Sequence, residues 1–133
     1  MKHKTLFVIR GLPGAGKSSL AKVIAPEHNY EADDYFTDEN GSYEFVFDKL
    51  NEAHKQCLDS VEHDMQQDIL HIAVANTFTC KREIVNYYEL AEEYNYSIFI
   101  IHCQNDFGSI HNVPDETVKR MKQRWQENIR QEK

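Results

Sequence analysis

Two clusters of residues in this sequence could do chemistry. The first is Gly11-Leu12-Pro13-Gly14-Ala15-Gly16-Lys17-Ser18. Glycines at these positions let the backbone curl until several N–H groups point at one place. A helix starting at Lys17 adds the positive end of its dipole there. Such a nest binds phosphate oxygens. Lys17 would then reach the β- and γ-phosphates of a nucleoside triphosphate, and Ser18 would set its hydroxyl on Mg²⁺. The expected ligands are therefore ATP and Mg²⁺. Their binding residues are Gly11, Leu12, Pro13, Gly14, Ala15, Gly16, Lys17, Ser18 and Ser19, with Lys17 also catalytic. The second cluster is Asp33-Asp34. A carboxylate facing the γ-phosphate from the acceptor side can orient and deprotonate an attacking hydroxyl. Aspartates also favour turns. Neighbours leaving a strand point opposite ways, so Asp33 and Asp34 should differ in role. Asp33 is expected as the base, Asp34 as support for the turn or for the metal's outer waters.

Weaker candidates follow. Asn76-Thr77 closes an apolar run, at a place where a metal-binding carboxylate often sits. Asparagine is a poor direct Mg²⁺ ligand, but it can hold a metal-bound water or a substrate oxygen. Ser18 is thus expected as the only direct side-chain ligand. His54 lies on an apolar stripe, either as a core residue or in contact with substrate. His102 and Cys103 are adjacent on a strand, face opposite ways and cannot chelate one metal.

The elements that must position these residues can be read from periodicity. Residues 5–10 form a short apolar strand bounded by glycine, and 17–25 a helix stopped by Pro26. A second strand is expected at 30–33, then a polar loop at 37–43 with the turn signal Asn40-Gly41. A long helix over 47–67 carries the stripe Phe47, Leu50, His54, Cys57, Val61 and Met65. Strands are expected at 69–75 and 96–103, with a helix between them that turns Ile84, Tyr88 and Ala91 inward. Pro114 opens a last helix, with acidic residues in its first turn, basic residues later and the stripe Val118, Met121 and Trp125. Residues 104–113 are polar and glycine-containing, which suits a lid. Alternating strands and helices predict an α/β fold with helices on both faces of a mainly parallel sheet. Ligands of such sheets bind at the carboxyl ends of the strands.

The 133 residues suit one domain, and no apolar run approaches the roughly 20 residues that span a bilayer. A cleaved leader would remove the glycine loop, so none is expected. Three scattered cysteines, Cys57, Cys80 and Cys103, are no disulfide framework and fit a reducing cytoplasm. Net charge is −7, and it is unevenly spread. Residues 27–68 hold 13 acidic and two basic side chains. Residues 117–130 hold Lys119, Arg120, Lys122, Arg124 and Arg130 against Glu127 alone. Tight binding of long nucleic acid through phosphate contacts alone is not expected from this balance. The basic last helix could instead dock a protein partner.

The ordered set of the glycine loop, Asp33-Asp34-Tyr35, Ala75-Asn76-Thr77 and Val113-Pro114-Asp115-Glu116 resembles the polynucleotide-kinase-like branch of the P-loop kinases. The segment Ala53-His54 to Cys57, and His111-Asn112-Val113-Pro114, fit the same pattern. That branch includes phage polynucleotide 5′-kinase and the P-loop domain of the myelin cyclic nucleotide phosphodiesterase, besides many small ATP-binding chains. The resemblance spans essentially the whole chain. It implies an adenylate-kinase-like three-layer α/β/α sandwich of about four strands; the cytoplasm expected from the cysteines would be that of a bacterial or phage-infected cell. It also implies transfer of the γ-phosphate of ATP to a hydroxyl, on a nucleic acid end, a nucleoside or another small alcohol, with Asp33 as general base. The alternative is a nucleotide-binding regulatory module with slow ATP hydrolysis. Three positions depart from the pattern: Phe36 replaces an arginine, Asn76 replaces an aspartate, and 105–112 contain no arginine. Lys119, Arg120 or Arg124, or a partner, would have to supply the missing cation, or catalysis is weak.

Overall fold

The computed structural model describes residues 3–106 and 113–130. Four parallel strands form one sheet: β1 (Thr5–Arg10), β2 (Asn29–Tyr30), β3 (His71–Asn76) and β4 (Ser97–His102), in the order β2-β3-β1-β4. In register, β1 pairs Arg10 with Asn76 on one side and with His102 on the other. The central strand therefore delivers its carboxyl end between two neighbours that end level with it. Among the described residues four α-helices connect and flank the strands: α1 (Lys17–Ile24), α2 (Leu50–Gln66), α3 (Val85–Glu93) and α4 (Asp115–Arg124).

Alternation along the strands builds two cores. Ile9, Ala73 and Ala75 face α1 and pack with Ala21 and Ala25. Leu6, Val8, Ile72 and Val74 face the other way, into a larger cluster with Cys57, Val61 and Met65 of α2 and Tyr87, Tyr88, Leu90 and Ala91 of α3. The layering is thus helix, sheet, helix. Small alanines on the α1 side let that helix approach closely, so its N-terminus stands directly over the end of β1.

Several boundaries differ from the sequence expectation. The second strand stops at Tyr30, and Ala32–Phe36 coil into a 3-10 turn. Asp34 accepts the Glu31 N–H at 3.1 Å and Asn76 Oδ1 accepts the Ala32 N–H at 2.9 Å, so side chains have taken donors a strand partner would need. The turn is seated by Ala32 and Phe36 packing with Ala53. The long helix begins with a separate 3-10 turn, Phe47–Lys49, and Phe47 is exposed. The buried face of α2 is Ala53, Cys57, Val61, Asp64 and Met65, so His54 lies outside the apolar stripe and is exposed. Both Tyr87 and Tyr88 are buried, not Tyr88 alone. Tyr87 packs edge-on against Phe78, while the Tyr88 hydroxyl donates to the Ile129 carbonyl at 2.8 Å. The Asn40-Gly41 turn forms, with Gly41 at φ 81 and Asp38 accepting two backbone N–H groups.

Arg10 is the largest fully buried side chain. Its guanidinium donates to the carbonyls of Phe78, Thr79, Gln126 and Glu127 and lies 3.9 Å from the Trp125 ring centre. Desolvation lowers its pKa, opposed by Glu127 and weaker neighbours. This one side chain ties the segment after α4 to the ends of β1 and β3. Trp125 also stacks on His102, at 4.8 Å between ring centres. Among the described residues no helix is long and apolar enough to cross a membrane.

Candidate functional site

The chain leaves β1 at Gly11, whose N–H donates to the Thr77 carbonyl at 3.2 Å. A Cβ there would stand 2.7 Å from the Cys103 carbonyl oxygen, so only glycine fits between the ends of β3 and β4. Gly14 and Gly16 have φ of 85 and 91, in the left-handed region that glycine enters freely. They turn the backbone back on itself, with the Ala15 N–H donating to Leu12 O at 3.1 Å. Ser18 and Ser19 follow Lys17 in the first turn of α1, and no side chain caps that helix. Its first N–H groups therefore lack a side-chain acceptor, the condition for holding a phosphate.

Lys17 is partly buried, and its ammonium donates to the Leu12 carbonyl at 3.0 Å. Desolvation lowers its pKa. Glu31 is the largest opposing influence, followed by Cys103 and Asp33. The cation thus lies in the field of two carboxylates that arrive from the end of β2. Ser18 Oγ donates to Glu31 Oε2 at 2.6 Å. Burial raises the Glu31 pKa, the Ser18 hydrogen bond opposes it, and Asp34 and Asp33 push it further up. Sequence reasoning passed over Glu31. Its one available signal was the alternation Glu31-Ala32-Asp33, which sends two carboxylates the same way at the end of a strand.

Asp33 is partly buried, and its Oδ1 accepts the Tyr43 hydroxyl at 3.2 Å. Burial and Asp33 together push that phenol up to about 12. Asp34 is exposed and caps the turn through the Glu31 N–H, with a pKa raised by desolvation and lowered by that bond. Asn76 is buried, with both polar ends engaged: Oδ1 by Ala32 N–H, and Nδ2 by Cys57 Sγ at 3.7 Å. Its observed contacts therefore hold the Glu31–Asp33 segment to β3. Thr77 contributes its carbonyl to Gly11. His54 stands exposed on α2. Of the suggested lid, 104–106 are exposed, and 107–112, with His111 and Asn112, lie outside the described residues.

The structure therefore brings the glycine loop, Lys17, Ser18, Glu31 and Asp33 to one edge of the sheet, with Asn76 and Thr77 beneath them. An anion cradle beside a row of carboxylates can hold a phosphate ester on one side and a proton-bearing acceptor on the other.

No family model matches the chain. It is 28% identical over 134 residues to NEDD4-binding protein 2 of Homo sapiens, covering 91% of this chain and 8% of that protein. It is 28% identical over 103 residues to the 2′,3′-cyclic-nucleotide 3′-phosphodiesterase of Mus musculus, covering 74% of this chain and 23% of that one. The chain thus spans less than a quarter of the length of these relatives. Among solved structures, a chain of the Pnkp1/Rnl/Hen1 complex superposes with a TM-score of 0.60 at 17% identity, over 90% of this chain and 39% of that one. The APS kinase of Mycobacterium tuberculosis, in complex with AMPPNP and APS, superposes with a TM-score of 0.55 at 15% identity, over 90% and 69%. The fold is that of the P-loop kinases.

Proposed function

We propose that this chain of P-loop kinase fold transfers the γ-phosphoryl group of ATP to a hydroxyl acceptor, such as the 5′-OH of a nucleic acid end or of a nucleoside. The observation that carries the reading is the phosphate loop joined, through the 2.6 Å bond from Ser18 to Glu31, to the acidic turn that holds Asp33 after β2. The loop amides and Lys17 hold the phosphates. Asp33 takes the proton of the acceptor hydroxyl as the acceptor oxygen bonds to the γ-phosphorus. The bond from that phosphorus to the bridging oxygen breaks, and ADP leaves with the electron pair. Such a reaction is mostly positioning and charge stabilisation, which a rigid sheet edge supplies.

Mg²⁺ fits this site, because the Ser18 hydroxyl, a hard oxygen donor, already faces a carboxylate oxygen at 2.6 Å. Bound with ATP, the metal would neutralise phosphate charge. Ser18 would help to hold it. The APS kinase in complex with AMPPNP supports an ATP-type nucleotide in this fold. The chain as a whole is read as one catalytic domain, with basic α4 available to a protein partner.

A second reading, a nucleotide-binding module with slow hydrolysis, is favoured by the absence of arginine from 104–113 and by the full engagement of Asn76. One assay separates the two. The chain is incubated with γ-labelled ATP and single-stranded, duplex and nucleoside 5′-OH acceptors, and free phosphate is measured in parallel. Label on an acceptor supports the kinase. Phosphate release alone, or no signal, supports the module.

A further inference from the structure

We propose that Glu31 is the carboxylate of the divalent-cation site, beside Ser18, in place of the side chain that ends β3. The proposal rests on the reading of Gly11–Ser18 as a nucleotide loop. It replaces the sequence expectation that Ser18 is the only direct side-chain ligand of the metal.

Four observations converge on Glu31. Its Oε2 lies 2.6 Å from Ser18 Oγ, so a cation that takes the Ser18 oxygen meets the Glu31 carboxylate at once. The backbone around Glu31 is fixed at both ends. Its own N–H is held by Asp34 Oδ2 at 3.1 Å, and the following N–H, of Ala32, is held by Asn76 Oδ1 at 2.9 Å. Asn76 is uncharged, and its side chain is taken up by that contact and by Cys57, so it offers the metal no carboxylate at the end of β3. The neighbouring carboxylates have other partners: Asp34 caps the turn, and Asp33 receives the Tyr43 hydroxyl.

The pair divides the work. Glu31 accepts the hydrogen bond of the Ser18 hydroxyl and so leaves the Ser18 oxygen lone pairs for the metal. It also supplies the negative charge that a serine and an asparagine lack. Two hard oxygen donors select Mg²⁺ or Mn²⁺ over a thiophilic metal. Glu31 lies outside Gly11–Ser18, so removing its charge leaves the loop amides in place, and any change in the field at Lys17 acts with and without the metal and cancels in the coupling.

The test is a linkage measurement that needs no turnover. ATP affinity of the full chain is measured by calorimetry with Mg²⁺ and with EDTA, for wild type, Glu31→Gln and Glu31→Asp. The ratio of the two affinities is the metal–nucleotide coupling. Wild type should gain about tenfold or more from Mg²⁺, and Glu31→Gln should lose most of that gain while still binding ATP in EDTA. Glu31→Asp should recover part of it, and Mn²⁺ should follow the same order as Mg²⁺. Full wild-type coupling in Glu31→Gln would overturn the proposal. So would an equal loss of affinity in both buffers, because Glu31 would then be supporting the loop. If wild type binds no ATP in either buffer, the loop reading fails and the proposal with it, a result distinct from the other two.

Discussion

At the scale of single residues, the site is written in short-range rules wherever it could be foreseen. The glycine loop was legible because its geometry depends on consecutive residues: φ of 85 and 91 at Gly14 and Gly16, and a passage at Gly11 too narrow for a Cβ. Gly11→Ala should therefore cost about 1–3 kcal/mol, the usual range for forcing atoms into a packed space. The obstacle is the Cys103 backbone oxygen, which cannot rotate away. A thermal melt checks this, and an unchanged midpoint would show that the strand ends can spread. Lys17→Ala should leave the fold intact, because among the described residues the Lys17 ammonium bonds only a carbonyl of its own loop. It should weaken ATP–Mg²⁺ binding by roughly 1.5–3 kcal/mol, the worth of a hydrogen bond to a charged group. Calorimetric titration measures it, and equal affinity would place the phosphates elsewhere. The Ser18–Glu31 pair was not legible. Its members are 13 residues apart, and a glutamate before a turn reads as an ordinary cap until the structure closes the distance.

At the scale of elements, strands were read more reliably than their ends. β1, β3 and β4 are apolar runs whose alternation survives in the two cores. β2 was overestimated because Asp34 and Asn76 supply side-chain acceptors to the backbone N–H groups of Glu31 and Ala32, and sequence periodicity does not register such competition. His54 borders the buried face of α2 rather than joining it: Ala53 and Cys57 turn inward, and the next residue after Ala53 is exposed. The anchoring of the segment after α4 was also hidden. A terminal arginine on an apolar strand looks like a solvent-seeking end, whereas Arg10 is buried under Trp125 and serves four carbonyls from two segments. Arg10→Leu should destabilise the protein by about 2–4 kcal/mol, because it strands acceptors that had a charged donor. It should also open the bonds after Arg124 to proteolysis ahead of the rest of the chain. Equal protease resistance in mutant and wild type would show that Tyr88 and Ile129 suffice to hold this segment.

At the scale of the whole molecule, the charge layout and the sheet direction point to one working edge. Acidic side chains dominate residues 27–68, including both arms that reach Lys17, while the basic excess lies in α4 and the segment after it. A small neutral or weakly charged acceptor meets less repulsion near Asp33 than a long polyanion does, so nucleosides and short ends should be the better substrates. The central claim is that Asp33 activates the acceptor hydroxyl while the loop and Lys17 hold ATP. The most direct measurement pairs transfer rate and ATP affinity on wild type, Asp33→Asn and Asp34→Asn, using γ-labelled ATP and the acceptor that wild type labels best. Asp33→Asn keeps size and polarity but cannot take the proton. Transfer should fall by about 10²–10⁴, the usual worth of a general base, with ATP affinity unchanged or slightly tighter as repulsion from the triphosphate drops. Asp34→Asn should affect transfer less, because Asp34 is exposed and spends its carboxylate on the Glu31 N–H. Greater damage from Asp34→Asn would reverse the two roles, and full transfer by both variants would contradict the mechanism.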